Sequence, residues 1–499
     1  MGVDVFLIIA VIIFTVLALL VGFYYVYMFE HPEDKGKAWF YKVIVILSLG
    51  FSAMNVLILP IDAINRTSGN TLNVEVMCWI FTIGSLVLAF VLIPFSIMYY
   101  EGQDDEDVKR PLLRAILCVI PFLLFILILF LILWFAVGRC EVPIDIYEGR
   151  VVTSATPTEC QGNECKENST HWNITPSAIV YCVSLIGFVG YLLLIILEGC
   201  GFITLPFNLI QSFVNRPKPI TLEVFTKATN ALNRWAEELL TEGEVLKAKV
   251  LKHGRNHQKV RQRLAKYEFQ VDALEKTYAQ VQISYKLRGG NPVGYWLKLI
   301  LGICGIIITI VWILHIILCY LAHVTPFLNT FFDKVNDGFP YAAVVFFAFF
   351  VFYLYWCVLD GTTTVGINLL IIRLHGMEKH NTPMSSMLFN TGVMLFASFG
   401  VALFSCMNFS VYQRLTALDM IYGVQMQTLA GLKYIWKYGV YVMFACIVAA
   451  LIWKCVTLKK KDDKIDNIKE LFEAYDTAGI NAKDSKKEKK KVLTEDIVP

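Results

Sequence analysis

Residues 5–27 read VFLIIAVIIFTVLALLVGFYYVY, an unbroken apolar run that starts almost at the initiator Met. An α-helix rises 1.5 Å per residue, so roughly 20 such residues cross the hydrocarbon core of a bilayer. A secretory signal would need a basic n-region, a shorter apolar stretch and a small-residue cleavage site. Here Asp4 precedes the run and the polar, bulky MFEHPEDKGK follows it. The run reads as a retained membrane anchor.

The same pattern recurs outward from this first span (4–27), near 40–60, 76–99, 112–137, 177–202, 294–320, 341–372, 385–407 and 434–456. Composition agrees. Of 499 residues 57% are hydrophobic and 17% charged, where a soluble protein carries about 25% charged. A soluble multidomain chain would lack the polar surface to cover so much apolar side chain. The fold class is all-α: a polytopic membrane protein with about nine transmembrane helices. The net charge of +3 says little, because the charges are segregated by loop, and no block reads as a nucleic-acid surface.

Lys and Arg resist translocation and collect on the cytosolic side. With the N-terminus exoplasmic, the cytosolic segments hold Lys35, Lys37 and Lys42; Lys109, Arg110 and Arg114; Arg373 and Lys379; sixteen basic residues in 207–298; and twelve from Lys454 onward. Only eight of the 44 basic residues remain outside. The C-terminus is then cytosolic. The sequons at Asn65, Asn168 and Asn173 all fall on the exoplasmic side. Asn168 and Asn173, in the 138–176 loop, are the glycosylation sites expected, with Asn168 preferred; Asn65 lies too close to the membrane. Cys140, Cys160 and Cys165 share this loop, in an oxidising compartment. Two of them can pair and leave one free, or Cys78 can take the third.

Four segments follow: 1–206 with spans one to five, 207–293, 294–456 with spans six to nine, and 457–499, a lysine-rich tail low in apolar content that reads as disordered. In the second, Phe225, Ala228, Leu232, Trp235 and Leu239, then Leu246 and Val250, keep a heptad-like spacing. After His253-Gly254-Arg255-Asn256, the series Val260, Leu264, Tyr267, Val271, Leu274, Tyr278, Val281 and Tyr285 alternates steps of four and three. That is the seam of a coiled coil. Two such arms should fold back as a cytosolic antiparallel hairpin over 221–287. It is either a docking platform for a cytosolic protein, with Leu264, Val271 and Leu274 as contact residues, or a self-contained connector.

An intramembrane carboxylate needs a reason to be there. Asp360 lies deep in the long seventh span and is followed by Gly361-Thr362-Thr363-Thr364, a patch that can interrupt a helix beside a polar cavity. The functional reading is a solute or proton path lined by Asp360, Thr362, Thr363 and Asn368, with Glu198 of span five as a further member. The alternative is close helix packing through small and hydroxyl residues, the simpler reading for Glu198 and Asp62 because both lie near interfaces. His315, Cys319 and His323 share a face of span six, more simply a wet helix end than a metal site. No catalytic constellation, cofactor motif or zinc-type spacing occurs, so neither enzyme nor cofactor is expected.

Several short segments are familiar in their order and placement: ILPIDAIN (58–65), IPFSIMYYEGQDDED (93–107), EGCGFITLPFNLIQSF (198–213) and DGTTTVGINLLIIRL (360–374). With nine spans and a helical insert after the fifth, the chain resembles the limb-region/LIMR family, and its motifs are most similar to the cobalamin-export branch. That family includes a lipocalin receptor and a lysosomal membrane protein implicated in cobalamin export. The resemblance implies movement of a small solute such as cobalamin across an endosomal or lysosomal membrane. The other reading is an endocytic or signalling receptor or adaptor, at the plasma membrane or in endosomes, that recruits partners through the hairpin.

Overall fold

The structure is a computed structural model that describes residues 5–31, 34, 38–67, 69, 72–104, 110–148, 166–253, 267, 270–271, 274–275, 277–279, 281–286, 288, 291–322, 324, 326–365, 368–369, 372–373, 382–414 and 416–457. Among these, nine helices are long and apolar enough to cross a membrane. The chain is an all-α polytopic membrane protein, and its spans imply a lipid bilayer as solvent. Leu264, Cys160, Cys165, His323 and the tail beyond 457 lie outside the described residues.

The chain divides into two compact units, Met1–Leu205 with Ile306–Ala450, and Pro206–Gly305 with Leu451–Pro499. The first contains α1 (Val5–Phe29), α2 (Trp39–Thr67), α3 (Val74–Val87) and α4 (Ile93–Asp104), the last two joined through a π turn at Leu88–Leu92. It continues with α5 (Pro111–Val137), and α6 (Ala178–Val214) leads from it into the second unit. There α7 (Leu222–His253) begins the polar insert. The helix α8 (Pro292–His315) leads back and is extended by a π turn at Ile316–Leu321. Then come α9 (Phe327–Gly338), α10 (Pro340–Val365), α11 (Met384–Asn408) and α12 (Lys433–Thr457).

In the first unit α11 is buried on nearly every side, and α2 packs beside it: Ser52 Oγ donates to Met394 O at 3.0 Å. The helix α6 meets its neighbours through glycine. A Cβ on Gly190 would strike Phe396 O, one on Gly400 would strike Gly190 O, and one on Gly201 would strike Cys357 O. Such contacts bring backbones together and let dispersion, rather than hydrophobic burial, hold helices that already sit in lipid.

Four features differ from the sequence expectation. The 138–176 loop carries an antiparallel ribbon, β1 (Cys140–Glu148) with β2 (Lys166–Ile174), in which Asn173 pairs with Glu141 and Asn168 with Ile146. An amphipathic helix, α9, precedes α10; its Leu328 and Phe332 are buried and Phe331 is exposed. The helix α6 does not stop near 202 but passes Pro206 to reach Val214, so Glu198 sits well inside a helix of 37 residues rather than at its end. Finally, α10 stops at Val365 instead of running to 372. Asn368 falls in a short strand, β3 (Asn368–Leu369), paired with β4 (Ile372–Arg373). Gly366 follows the last helical residue, and glycine is the commonest helix terminator. Asn368 is therefore not on the span that carries Asp360.

In the second unit Leu232, Trp235 and Leu239 of α7 form one apolar cluster with Tyr267, Val271, Leu274 and Val281. Phe225 stacks on Tyr285 with centroids 4.2 Å apart. A Cβ on Gly243 would meet Tyr267 Oη at 2.5 Å. Pairing 225 with 285 and 243 with 267 means the arms run antiparallel. Val271 and Leu274, expected to bind a partner, are spent on the opposite arm. Each arm's heptad stripe is the nearest apolar surface available to the other.

Candidate functional site

Intramembrane polar groups gather where α6 and α10 touch. Gly361 of α10 lies against the Leu197 backbone, as Gly201 of α6 lies against Cys357. This close approach sets Thr204 beside Asp360, and Thr204 Oγ1 donates to Asp360 Oδ2 at 2.6 Å. Thr364 Oγ1 donates to the same oxygen at 3.4 Å. Thr363 Oγ1 donates to Asp360 O at 3.0 Å, and Thr362 Oγ1 to Leu359 O at 2.8 Å. Thr362 and Thr363 bond carbonyls of their own helix, Thr364 bonds the Asp360 carboxylate, and α10 stays helical through all three instead of being interrupted.

Glu198 is fully buried and neither carboxylate oxygen has a hydrogen-bond partner among the described residues. Tyr353 and Cys357 of α10 lie near it. Next to it the Tyr353 and Thr309 hydroxyls are 2.6 Å apart, and Thr309 Oγ1 donates to Phe202 O at 3.3 Å. A charged carboxylate at mid-membrane costs at least about 3 kcal/mol on insertion scales. Of the groups read as a path, the structure joins Asp360, Thr362, Thr363 and Glu198 on two touching helices and leaves Asn368 out.

A second polar seam went unread in the sequence. Asn55 Nδ2 donates to Ser85 Oγ at 2.9 Å and to Ser398 Oγ at 3.2 Å. Thr362 Oγ1 also reaches Met394 Sδ at 3.6 Å. The signal was present: Ser48, Ser52, Asn55 and Asp62 recur at steps of four, three and seven, one face of α2.

At the opposite end of α2 from Trp39, the segment joining α11 and α12 closes over the unit. Leu418 N–H donates to Asp62 Oδ2 at 2.8 Å, and Arg66 donates to Tyr412 O at 2.9 Å and to Arg414 O at 2.6 Å. His315 Nε2 lies 3.2 Å from Asn408 O, and its ring stacks on Phe409. Among the described residues no cluster could hold a metal ion. Cys78 and Cys140 are buried thiols, and Cys140 Sγ donates to Gln425 O at 3.3 Å. Burial raises the Cys140 thiol above its usual range. Lys433 donates to Glu141 Oε2 at 2.6 Å and holds that part-buried carboxyl below its ordinary range.

These features define a polytopic helical membrane protein with glycine-mediated contacts around buried carboxylates. Residues 6–289 and 236–456 match the family described as LMBR1-like membrane protein. A LIMR family protein of Oryza sativa subsp. japonica is 32% identical over 88% of this chain and 93% of its own length. Another, from Arabidopsis thaliana, is 30% identical over 89% and 94%, and one from Dictyostelium discoideum is 26% identical over 93% and 99%. No solved structure matches. The chain belongs to the LMBR1-like, or LIMR, family.

Proposed function

We propose that this protein takes part in moving a small solute across an endosomal or lysosomal membrane, with cobalamin the first cargo to test. It works without enzymatic chemistry, and its N-terminus is exoplasmic and its C-terminus cytosolic. The observation that carries this reading is Glu198, a wholly buried carboxylate with no partner among the described residues, on the helix whose Thr204 bonds Asp360. An intramembrane ionisable group kept at such cost points to transport or proton relay more than to scaffolding. The test is the metabolite content, cobalamins included, of endolysosomes from cells lacking the protein and rescued by wild type, Glu198→Gln or Asp360→Asn. A solute trapped in the null and in Glu198→Gln, but cleared by wild type, supports transport and names the cargo. Unchanged contents in every strain would sink it.

A second reading, a receptor or adaptor that recruits cytosolic partners through the hairpin, draws on residues outside the seam. Leu240 and Val245 of α7 are exposed although the arm's seam is closed. Leu240→Asp with Val245→Asp should abolish partner recruitment and leave solute content untouched. Recruitment that survives this pair would remove the adaptor reading.

A further inference from the structure

The two carboxyls at the contact between α6 and α10 have opposite surroundings. Asp360 accepts from two hydroxyls, Thr204 Oγ1 at 2.6 Å and Thr364 Oγ1 at 3.4 Å. An ionised carboxyl can only accept, so such donors suit its charged form. Glu198 is 0% exposed, and neither of its oxygens has a partner among the described residues.

The hydroxyl of Tyr353, which lies near Glu198, is committed elsewhere. Thr309 gives its single proton to Phe202 O at 3.3 Å, so Tyr353 is the donor in the 2.6 Å contact between Thr309 Oγ1 and Tyr353 Oη. Tyr353 Oη then has lone pairs to offer Glu198 and no proton. The titratable groups around this contact are Tyr353, Cys357 and Asp360 on α10, Cys200 on α6 itself, and Cys446 of α12 beside Gly199. None is a cation. An ionised Glu198 would therefore be buried with neither donor nor counter-charge, the costliest way to place a polar group in an apolar interior. A carboxylic acid carries no charge and brings its own donor. Paired carboxyls in such unlike environments divide into one that is ionised and one that is protonated.

We propose that the α6–α10 contact binds one exchangeable proton, carried by Glu198 as a neutral acid beside an ionised Asp360. Release leaves the Glu198 carboxylate and gives the proton to water, and uptake reverses it. The proposal deepens the transport reading, on which it rests only for the use of the proton: solute movement is coupled to it. The proton site itself is measured without transport.

The experiment is infrared absorption of the purified full-length protein in an ester-free detergent at about pH 8, where exposed carboxyls are ionised. The C=O band of a protonated carboxyl should be present in wild type, lost in Glu198→Gln and kept in Asp360→Asn. It should shift in D2O, because the proton exchanges with water. Glu198→Gln has the shape of the neutral acid and should melt as wild type does. Wild type grown on isotope-labelled glutamate should show the same band displaced, which assigns it to a glutamate without any substitution. No such band, or one that both Glu198→Gln and the label leave unchanged, overturns the proposal. A band lost in Asp360→Asn instead places the proton on Asp360 and overturns the assignment, and a band that does not shift in D2O overturns exchange. A Glu198 band in a protein that clears no solute from endolysosomes would overturn the transport reading and leave the proton site standing. A solute cleared as well by Glu198→Gln as by wild type would overturn the coupling.

Discussion

The helices α5 and α11 invert the rule of soluble proteins. The α5 span is the more apolar, with mean hydropathy 3.5 over its best stretch, yet only 6% of that stretch is buried. The α11 span has mean hydropathy 1.8 and is 89% buried. In water the apolar helix would be the core. In lipid the tails are as apolar as leucine, so burial brings little hydrophobic gain and the interior goes to residues that pack closely or bond one another. Leu124, Phe125, Ile128 and Ile132 of α5 face outward, whereas Ser398, Gly400 and Ser405 of α11 face in. The second unit returns to the aqueous rule, for there Trp235 and Leu239 are the buried side chains.

The comparison breaks most visibly at the glycine crossing. Gly400→Leu must push α6 off α11, since even a Cβ there would strike the Gly190 backbone. Overpacking in a tight core costs about 1–3 kcal/mol and sometimes more. Melting in nanodiscs should show a large drop, and a wild-type melting temperature would refute the inverted logic. Next comes the hairpin. Val271→Lys puts a charge against Trp235 and should open the arms to protease while the spans keep their melting temperature. Smaller is Asn55→Leu, which removes bonds to Ser85 and Ser398, at about 0.6 kcal/mol each for bonds between helices in a membrane. Leu127→Ala on α5 should shift stability by less than about 0.5 kcal/mol, as expected of a surface position. A larger cost would show that α5 is covered by something other than lipid.

The smallest effect is a pH dependence. Lys433 lowers the Glu141 carboxyl below its ordinary range. A carboxyl lowered on folding adds stability that is present above its unfolded pKa, about 4.3, and is lost as pH falls through the lower folded value. The difference in melting temperature between wild type and Glu141→Gln should therefore hold from pH 7 to pH 5 and close only below the ordinary carboxylate range. A difference already gone at pH 5 would contradict the Lys433 contact.

The spans and the family were legible in one dimension, the spans because some twenty apolar residues in a row cross hydrocarbon, the family because its short motifs keep their order along the chain. Asp360 with its threonines was also visible as an exception to that pattern. What could not be read was where each exception points. Glu198 read as a residue near an interface because its run of apolar residues appeared to end at Gly201-Phe202, but α6 continues through Pro206. The same four-residue patch that suggested a broken helix is helical, and its hydroxyls find partners within one turn, Thr362 and Thr363 on carbonyls and Thr364 on the Asp360 carboxylate. The surroundings of Glu198 join residues from α6, α8 and α10, so no window of sequence contains them. Hydropathy alone determined which segments cross the membrane. Only tertiary contact decided which of them face lipid and which carboxylates stand without a partner, because those depend on the side chains that other helices bring within hydrogen-bond reach.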